Sequence, residues 1–385
     1  MKRFNQLLAL AAGAAVLACS GCGDTDVKTA AVETYADIAL ASYEDSLTAG
    51  QSLDAAIKTL VATPTAANLT AAQNAWLAAR EPYLQTEVYR FYEGPIDNET
   101  DGPEGLLNAW PMDEHYLDYT ADAPDGGLIN DTTWEITAAN VENANETGGE
   151  KNIATGYHAI EFLLWGQDTS DTGPGARPFT DYVTDGTGTA ANQDRRGQYL
   201  SVCGDLLVTH LTMLRDAWAK DGSYSSTFVE GGDASLEKIL TGMIVLAGFE
   251  TGGERLQAAL DAGDREEEHS CFSDNTHRDM IQDVQGIHNV FTGVYASLDG
   301  DKVTGKGVKD VISETDSAIA DRLETEIEDA LAKANGMEVP FEAEIVATNA
   351  EGNARVAALI SALRTVEGTL EEVFVLMGFS VPVPE

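Results

Sequence analysis

Apolar residues recur every three or four positions along most of the chain, which is the spacing of one face of an α-helix. This spacing predicts helices at about residues 27–48, 50–62, 69–92, 152–165, 194–220, 235–248, 254–262, 280–295, 316–333 and 350–377. No stretch alternates apolar and polar residues at a period of two with β-branched side chains, so a sheet is not expected. The pattern predicts an all-α fold that is built from helical bundles.

Two breaks in the helical pattern divide the chain. Residues 94–149 are rich in Pro, Gly, Asp and Asn, and a segment of this length without periodicity is usually a functional loop. A Gly/Ser break that ends at Gly232 marks the predicted boundary between an N-terminal half, residues 23–232, and a C-terminal half, residues 233–385. The pattern Gly-x-His begins at Gly156 in one half and at Gly286 in the other, which indicates two halves related by an internal repeat.

Residues 1–22 have the composition of an export signal. They begin with basic residues, continue with an apolar stretch over 7–17, and end in small residues up to Cys19 and Cys22. The apolar stretch is too short to span a bilayer. The sequence Val-Leu-Ala-Cys that ends at Cys19 looks like a bacterial lipobox, with Cys22 as the alternative cleavage point. We therefore predict export followed by lipid anchoring through one of these cysteines.

The charge of the chain excludes one class of partner. The sequence contains 64 acidic and 23 basic residues and has a formal net charge of −41. Such a surface repels nucleic acid, so nucleic-acid binding is set aside. The same surface attracts cations and stays soluble in high salt. Cation binding and a saline habitat both account for the acidic excess.

Two cysteines remain outside the signal, Cys203 and Cys271. In an oxidising compartment such as the periplasm, the two thiols are expected to form one disulfide that joins the middle of the chain to its later part. The alternative is that they are two separate buried thiols.

The clearest chemical signal is the stretch Gly-Tyr-His-Ala-Ile-Glu-Phe-Leu-Leu-Trp-Gly at 156–166. His158 and Glu161 are three residues apart, so they share one face of an otherwise apolar helix and can point at one ligand. Imidazole and carboxylate together suit iron, zinc, manganese or copper. The alternative is a structural hydrogen-bonded pair. Two ligands are too few for a tight metal site, so others must contribute. The candidates for further donors are Glu87, Asp97, His277 and His288.

Two other groups of polar residues are candidates for a binding surface. The helix that begins near residue 69 carries Arg80, Glu87 and Arg90 along one side, and this mixture of charges is not a plain core face. The alternative is that Arg80 and Glu87 are simply exposed, which is the commoner case for a charge on a helix. A dense polar run over 266–279 forms the second group. Its side chains either line a pocket or cap the following helix. The residues singled out in this run are Ser273, Asp274, Asn275 and His277.

These motifs together resemble those of the imelysin-like family, and especially its iron-regulated protein A branch. The resemblance rests on the GxHxxE pattern of Gly156, His158 and Glu161, followed by Phe-Leu-Leu-Trp-Gly. Supporting stretches are Trp-Leu-Ala-Ala-Arg-Glu-Pro-Tyr at 76–83, Gly-Pro-Ile-Asp at 94–97, Gly-Pro-Gly-Ala-Arg-Pro at 173–178, Cys-Phe-Ser-Asp-Asn-Thr-His-Arg-Asp at 271–279 and Gly-Ile-His-Asn at 286–289. The resemblance covers nearly the whole chain after the signal.

The resemblance implies two helical bundles with the GxHxxE helix facing a cleft between them. It also implies a periplasmic lipoprotein of the outer membrane that takes part in iron uptake. The expected ligand is iron or an iron-bearing molecule such as haem or a siderophore, with zinc as the alternative metal, and the expected partners are envelope iron-uptake proteins. Relatives have been classed as metallopeptidases because of HxxE. A metal-dependent peptidase is therefore the alternative function, although no residue stands out as the general base that such an enzyme needs.

Overall fold

The structure is a computed structural model, and it describes residues 26–170 and 173–383. The predicted signal peptide, with Cys19 and Cys22, lies outside these residues. The α-helices are α1 (Val27–Ala62), α2 (Ala66–Leu84), α3 (Glu104–Leu107), α4 (Glu114–Leu117), α5 (Ala138–Ala144), α6 (Gly156–Trp165), α7 (Gln193–Trp218), α8 (Ser223–Val229), α9 (Asp233–Ile244), α10 (Ala258–Ala262), α11 (Thr276–Thr292), α12 (Val308–Thr315), α13 (Ser317–Ala334), α14 (Phe341–Ile345) and α15 (Ala350–Met377). Short 3-10 turns lie at Glu87–Tyr89, Phe179–Tyr182 and Arg265–Glu267, and a π-helical segment lies at Val245–Gln257.

The predicted all-α class is confirmed, with one small exception. A two-stranded antiparallel ribbon joins β1 (Val294–Ala296) to β2 (Lys302–Thr304), with Val294 opposite Thr304. The sequence pattern predicted no sheet at all, because strands of three residues are too short to show a period of two.

The N-terminal helices form a group around α1, which packs along α2 and α7. The motif helix α6 lies against α2 and α7. The sequence predicted a break in α1 near residue 49, but the helix continues through Gly50. A Cβ atom at Gly50 would lie 2.8 Å from Leu211 Cδ1 of α7. This glycine therefore permits close packing of two helices and does not end one.

The second group contains α9, the π-helical segment, α11, α13 and α15. The sequence predicted separate helices over 235–248 and 254–262, whereas α9, the π-helical segment and α10 follow one another without interruption. The segment packs against α15 and also contacts α11. Helical segments of the π type are rare and occur frequently at functional sites.

The two groups meet where α2 packs against α11. Buried apolar side chains from both groups belong to one contiguous core, so the halves share their interior. The proposed boundary at Gly232 and the internal repeat both stay predictions. Within the part of the chain that the structure describes, no helix combines the length and the apolar character needed to cross a membrane.

Candidate functional site

The first residue of the motif, Gly156, determines where α6 begins. Its φ angle is +83°, and a Cβ atom there would lie 2.5 Å from the carbonyl oxygen of Leu107. Only glycine tolerates both conditions. Helix α2 also holds the first turn of α6, because Nε1 of Trp76 donates a hydrogen bond to the carbonyl oxygen of Tyr157 at 2.9 Å. Every residue of α6 is buried, so the motif side chains are held in a rigid interior.

Within α6, His158 and Glu161 contact each other as their spacing predicted. Nδ1 of His158 lies 2.9 Å from Oε2 of Glu161. The other oxygen, Oε1, accepts hydrogen bonds from the backbone N (2.9 Å) and from Oγ (2.6 Å) of Ser273. The side chains of His158 and Glu161 are 1% and 0% exposed. Nε2 of His158 is buried and has no hydrogen-bond partner. Glu161 therefore orients the imidazole, and Nε2 is the atom left for a ligand.

A second imidazole, that of His269, stands beside the first. The two ring centres are 4.9 Å apart and the rings are nearly perpendicular, at 77°. Nδ1 of His269 lies 2.6 Å from Oδ2 of Asp279. The same oxygen of Asp279 accepts a hydrogen bond from Oγ of Ser270 at 2.5 Å. A carboxylate bound to one ring nitrogen is the usual support of a metal-binding histidine, and here two such pairs stand side by side.

Burial determines the protonation of these groups. It lowers the pKa of His158 well below the ordinary value and that of His269 to about 3. Both imidazoles are therefore neutral at neutral pH, which is the form that binds metal ions. Burial also raises the pKa of Glu161 to about 8. For Asp279, burial acts in the same direction, but Arg80 and His269 outweigh it and hold the pKa of this carboxyl well below its usual range.

Arg80 supports this arrangement from within the core and is not part of an exposed charged wall. Its side chain is fully buried, and its Nη2 lies 3.1 Å from Oδ2 of Asp279. Its Nη1 donates to Oδ1 of Asn108 at 2.5 Å. The guanidinium lies 5.0 Å from the ring centre of Tyr157 and 5.5 Å from that of Trp76. Arg80 therefore positions Asp279 and, through it, His269.

A cleft of about 270 Å³ opens beside His269, between the two helix groups. Its walls come from the loop before α4 and from the π-helical segment. The residues that line it include Arg90, Glu104, Asn108, Trp110, Glu250 and Arg255. Arg90, which the sequence singled out as a candidate for binding, is one of these lining residues, and its binding role stays a prediction. The indole of Trp110 donates to the carbonyl oxygen of Glu268 at 2.7 Å, so the cleft wall is fastened to the segment that carries His269.

Glu87 and Asp97, which the sequence proposed as metal ligands, have other partners. Oε2 of Glu87 accepts hydrogen bonds from Arg90 (2.6 Å) and Arg255 (2.5 Å). Burial alone would raise the pKa of Glu87, but these two guanidinium groups lower it to about 2. Asp97 accepts hydrogen bonds from the backbone N of Phe91 and, at 2.6 Å, from that of Gly94. Glu87 is a counter-ion to two arginines, and Asp97 closes a turn.

The predicted set of four ligands does not converge on one point. In the described ranges, the only three His, Cys, Asp or Glu residues whose ligand atoms all lie within 4.8 Å of one another are Asp168, Asp274 and Glu342. His158, Glu161, Glu87 and Asp97 are absent from this group. Of the two imidazoles, that of His269 lines the cleft, and that of His158 on α6 is not among the lining residues but lies 4.9 Å from it between ring centres.

The remaining candidates of the second half have separate positions. Asn275 donates from Nδ2 to Oδ1 of Asp279 at 3.1 Å and so belongs to the support of His269. Nδ1 of His277 lies 3.2 Å from the carbonyl oxygen of Asp274, in the first turn of α11. His288 is near Glu324 and Glu328 of α13. Neither of these histidines joins the pair formed by His158 and His269, because α11 directs them to other neighbours.

The predicted disulfide is absent, because Cys203 and Cys271 are both free thiols. Sγ of Cys203 lies 3.7 Å from the carbonyl oxygen of Ala154, just before α6 begins. The residue next to Cys271 is Phe272, whose ring lies 5.1 Å from that of Phe162 in the second half of α6. The thiols therefore pack at different ends of the same helix. Burial raises the pKa of both.

Sequence reasoning missed His269, Asp279 and Arg255 as site residues. His269 and Asp279 both lie in the polar run over 266–279 that was singled out. Their separation of ten residues crosses a turn before α11, so no helical spacing marks them as a pair. Arg255 lies in a segment that looked like an isolated short helix. The sequence signal that could have pointed to His269 and Asp279 is the density of polar residues at the start of α11 and just before it.

Comparisons with known proteins agree with the fold. The model of the Imelysin family matches residues 39–370. Iron-regulated protein A of Synechococcus elongatus is 26% identical over 355 residues, which cover 91% of this chain and 88% of that protein.

Two solved structures are also similar. One, from Parabacteroides distasonis, is described as an iron-regulated protein A precursor. It has a TM-score of 0.69 and 19% identity, with 92% of this chain and 97% of that chain covered. The other, an imelysin-like protein from Psychrobacter arcticum, has a TM-score of 0.65 and 17% identity, with 94% and 99% covered. At these identities the likeness shows a shared fold.

Proposed function

The chain belongs to the imelysin family, and on this premise we propose that it binds an iron ion at the two neighbouring imidazoles, beside the cleft between the two helix groups. The ligands are Nε2 of His158 and Nε2 of His269. One observation carries the proposal: Nε2 of His158 is buried without a partner, although Glu161 holds the ring in one orientation. A buried polar atom without a partner costs free energy, so its retention beside a second oriented imidazole is best explained by a ligand.

The chemistry of the site fits iron. Neutral imidazoles with carboxylate support suit divalent iron as well as zinc. The relative from Synechococcus elongatus is named an iron-regulated protein, which favours iron over zinc. Four glutamates and two arginines line the cleft, so acidic side chains outnumber basic ones where a cation would enter. Water or a small chelating molecule completes the coordination.

The size of the cleft bears on which iron species enters. Its volume of about 270 Å³ lies just below the range of roughly 300–1,000 Å³ that is typical of pockets for drug-sized ligands. A hydrated ion, or an ion with a small organic chelator, fits this space. Haem and large siderophores need more room. The proposal is therefore a site for an iron ion.

Binding is a better account of the site than peptide cleavage. The side chains of His158 and Glu161 are 1% and 0% exposed, so an extended peptide backbone does not reach them in this conformation. Both oxygens of Glu161 are engaged by His158 and Ser273, which leaves this carboxylate badly placed to activate water as a general base. Chelator-sensitive cleavage of an unstructured peptide, lost in Glu161→Gln, would contradict this account.

We also propose that the protein is a periplasmic lipoprotein of the outer membrane that delivers iron to envelope uptake proteins. The support is the predicted signal over residues 1–22 with its lipobox-like end at Cys19. Metabolic labelling with a fatty acid tests it. We expect label on the wild type and its loss in Cys19→Ala, with Cys22→Ala as the matched control. Loss only in Cys22→Ala would move the anchor to that residue, and no label on the wild type would contradict the anchor.

Iron affinity of matched variants tests the function. Anaerobic titration with ferrous iron, at about 0.5 M salt to screen the acidic surface, is expected to show one saturable site. His158→Gln and His269→Gln are each expected to weaken binding by tenfold or more, on the order of the effect of losing a metal ligand or its support. The control is His210→Gln, which changes another buried histidine. His210 lies on α7, and its Nε2 is 3.0 Å from Oε1 of Glu142 on α5. Equal affinity of all four proteins would contradict the proposal.

A further inference from the structure

A second group of acidic side chains lies apart from the two imidazoles. Asp168 follows α6, Asp274 precedes α11, and Glu342 lies in α14. All three residues are buried, and one carboxylate oxygen from each lies within 4.8 Å of the other two. Three carboxylates from three distant parts of the chain thus share one small volume.

A fourth carboxylate strengthens this observation. Glu268 is 0% exposed, and neither of its oxygens has a hydrogen-bond partner. Glu268 lies near the other three carboxyl groups, because the charges of Glu342, Asp274 and Asp168 all act on it. Oδ1 of Asp274 and Oε1 of Glu342 are also buried without a partner. Unpartnered buried carboxylates are costly unless a cation or a proton accompanies them.

Within residues 26–170 and 173–383, the ion pairs bring one basic side chain to this group. Nη1 of Arg265 lies 3.7 Å from Oδ2 of Asp168, so one guanidinium faces four carboxyl groups. Burial and then the charge of Asp168 raise the pKa of Asp274 to about 6, and burial with the charges of Asp274 and Asp168 raises that of Glu342 to about 7, although Arg265 opposes both shifts. Both shifts describe carboxylates that are short of positive charge.

We propose that Asp168, Asp274 and Glu342 bind a hard divalent cation of the calcium class, with Glu268 beside it as a further ligand or as a hydrogen-bond acceptor for a bound water. An all-oxygen, carboxylate-rich group favours calcium or a similar hard ion over metals that prefer imidazole. A cavity of about 390 Å³ reaches Glu342 from the surface and is also lined by Arg265. It offers an approach to Glu342 and space for some of the waters that would complete six to eight ligands.

The position of this site gives the ion a role in the architecture. Residues 268–275 carry both His269, which forms half of the imidazole pair, and Ser273, which binds Glu161. An ion on Asp274 fastens this segment to the residues after α6 and to α14 of the second helix group. The inference goes beyond the proposed iron binding, since the ion is structural and its ligands are different residues.

Calcium titration of charge-matched variants tests the inference. The wild type, freed of metals with a chelator, is expected to bind one calcium ion and to unfold at a higher temperature when calcium is added. Glu342→Gln is expected to lose at least tenfold in affinity. Glu338→Gln is the control. It removes the same charge four residues before Glu342, and the side chain of Glu338 is 73% exposed. Equal binding by both variants, or no saturable binding by the wild type, would overturn the inference.

A second variant keeps the test valid if Glu342→Gln does not fold. Asp274 has a φ angle of +57°, a conformation that asparagine tolerates well, so Asp274→Asn is expected to fold and to lose the response to calcium. Each amide variant removes a buried charge, so its stability without calcium should equal or exceed that of the wild type. The His158→Gln variant should keep the full calcium response. Loss of that response in His158→Gln would place calcium at the imidazole pair and contradict a separate site.

Discussion

At the scale of single residues, the site depends on how Glu161 is held. This carboxylate is buried and accepts two hydrogen bonds from Ser273 while it contacts His158. Without these donors the carboxylate would be free to rotate, and the imidazole would lose its fixed orientation. The roles of the two motif residues therefore differ: His158 presents the ligand atom, and Glu161 aligns it.

Replacement of Ser273 by alanine tests this division of roles. The variant loses the 2.6 Å bond from Oγ to Glu161 and keeps the backbone bond. We expect a loss of about 1–2 kcal/mol in the free energy of unfolding, typical of a buried acceptor that loses one donor. Iron binding should weaken by a few-fold. Ser361→Ala on the exposed side of α15 is the control, and chemical denaturation with iron titration provides both readouts. An unchanged iron affinity in the Ser273 variant would show that Glu161 does not depend on this bond.

Only part of this site was predictable from the residues. The spacing of His158 and Glu161 predicts a shared face, and the structure brings the two side chains into contact. The spacing does not show which of the two side chains is left with an atom free for a ligand. That depends on Ser273, which binds Glu161 and lies more than one hundred residues later. The pairing of His269 with Asp279 likewise depends on a turn that no periodicity describes.

At the scale of elements, the π-helical segment joins the cleft to the second helix group. Arg255 in this segment donates hydrogen bonds to Glu87 (2.5 Å), Asp283 (2.9 Å) and Glu250 (2.8 Å). The first of these partners belongs to the N-terminal group and the second to α11. A single buried guanidinium therefore joins carboxylates from three elements, of which the π-helical segment lines the cleft.

Removal of this guanidinium should be costly. Arg255→Leu is expected to lower the free energy of unfolding by about 3–5 kcal/mol, since it leaves Asp283 buried without the guanidinium that contacts it and leaves Glu87 with Arg90 as its remaining counter-ion. Arg364→Leu serves as the control, because Arg364 is 48% exposed and pairs with Glu367 on the surface of α15. Its loss should cost less than about 1 kcal/mol. Urea denaturation compares the two, and similar stabilities would contradict the importance given to Arg255.

The helices themselves were largely predictable, and the two false breaks have a common cause. Most boundaries lie near the residues at which apolar periodicity begins and ends, but the helix predicted to run to residue 92 ends at Leu84, so Glu87 and Arg90 lie beyond it. The false breaks were placed at glycines such as Gly50 and Gly248. A Cβ atom at Gly248 would lie 2.1 Å from Cδ of Glu367, so this glycine allows close contact between the π-helical segment and α15. Such contacts depend on the partner helix, which a single sequence does not show.

At the scale of the whole molecule, the buried acidic groups make stability depend on pH. Burial raises the pKa of Glu161 to about 8 and that of Glu114 to about 7. Between their unfolded and folded pKa values the folded state binds more protons than the unfolded state, so stability falls as the pH rises. The buried histidines act in the opposite sense, but their contribution is complete above their unfolded pKa of about 6.5.

We therefore expect the metal-free protein to lose stability between about pH 6.5 and 8. Thermal unfolding in the presence of a chelator measures this loss as a falling midpoint. Glu114→Gln should reduce the slope, because it removes one of the titrating groups, whereas Glu338→Gln, which changes an exposed carboxyl with 73% exposure, should leave it unchanged. A midpoint that stays constant or rises over this pH range would contradict the assignment of raised pKa values to these buried acids.

The central claim is that two imidazoles from different helix groups bind iron together. The most direct measurement is a crystal structure of the iron-loaded protein, with anomalous scattering recorded at the iron absorption edge. The account predicts one strong peak at roughly 2 Å from Nε2 of both His158 and His269, the usual distance between a metal and an imidazole nitrogen. A peak that contacts neither nitrogen, for example one that lies only among Asp168, Asp274 and Glu342, would contradict it.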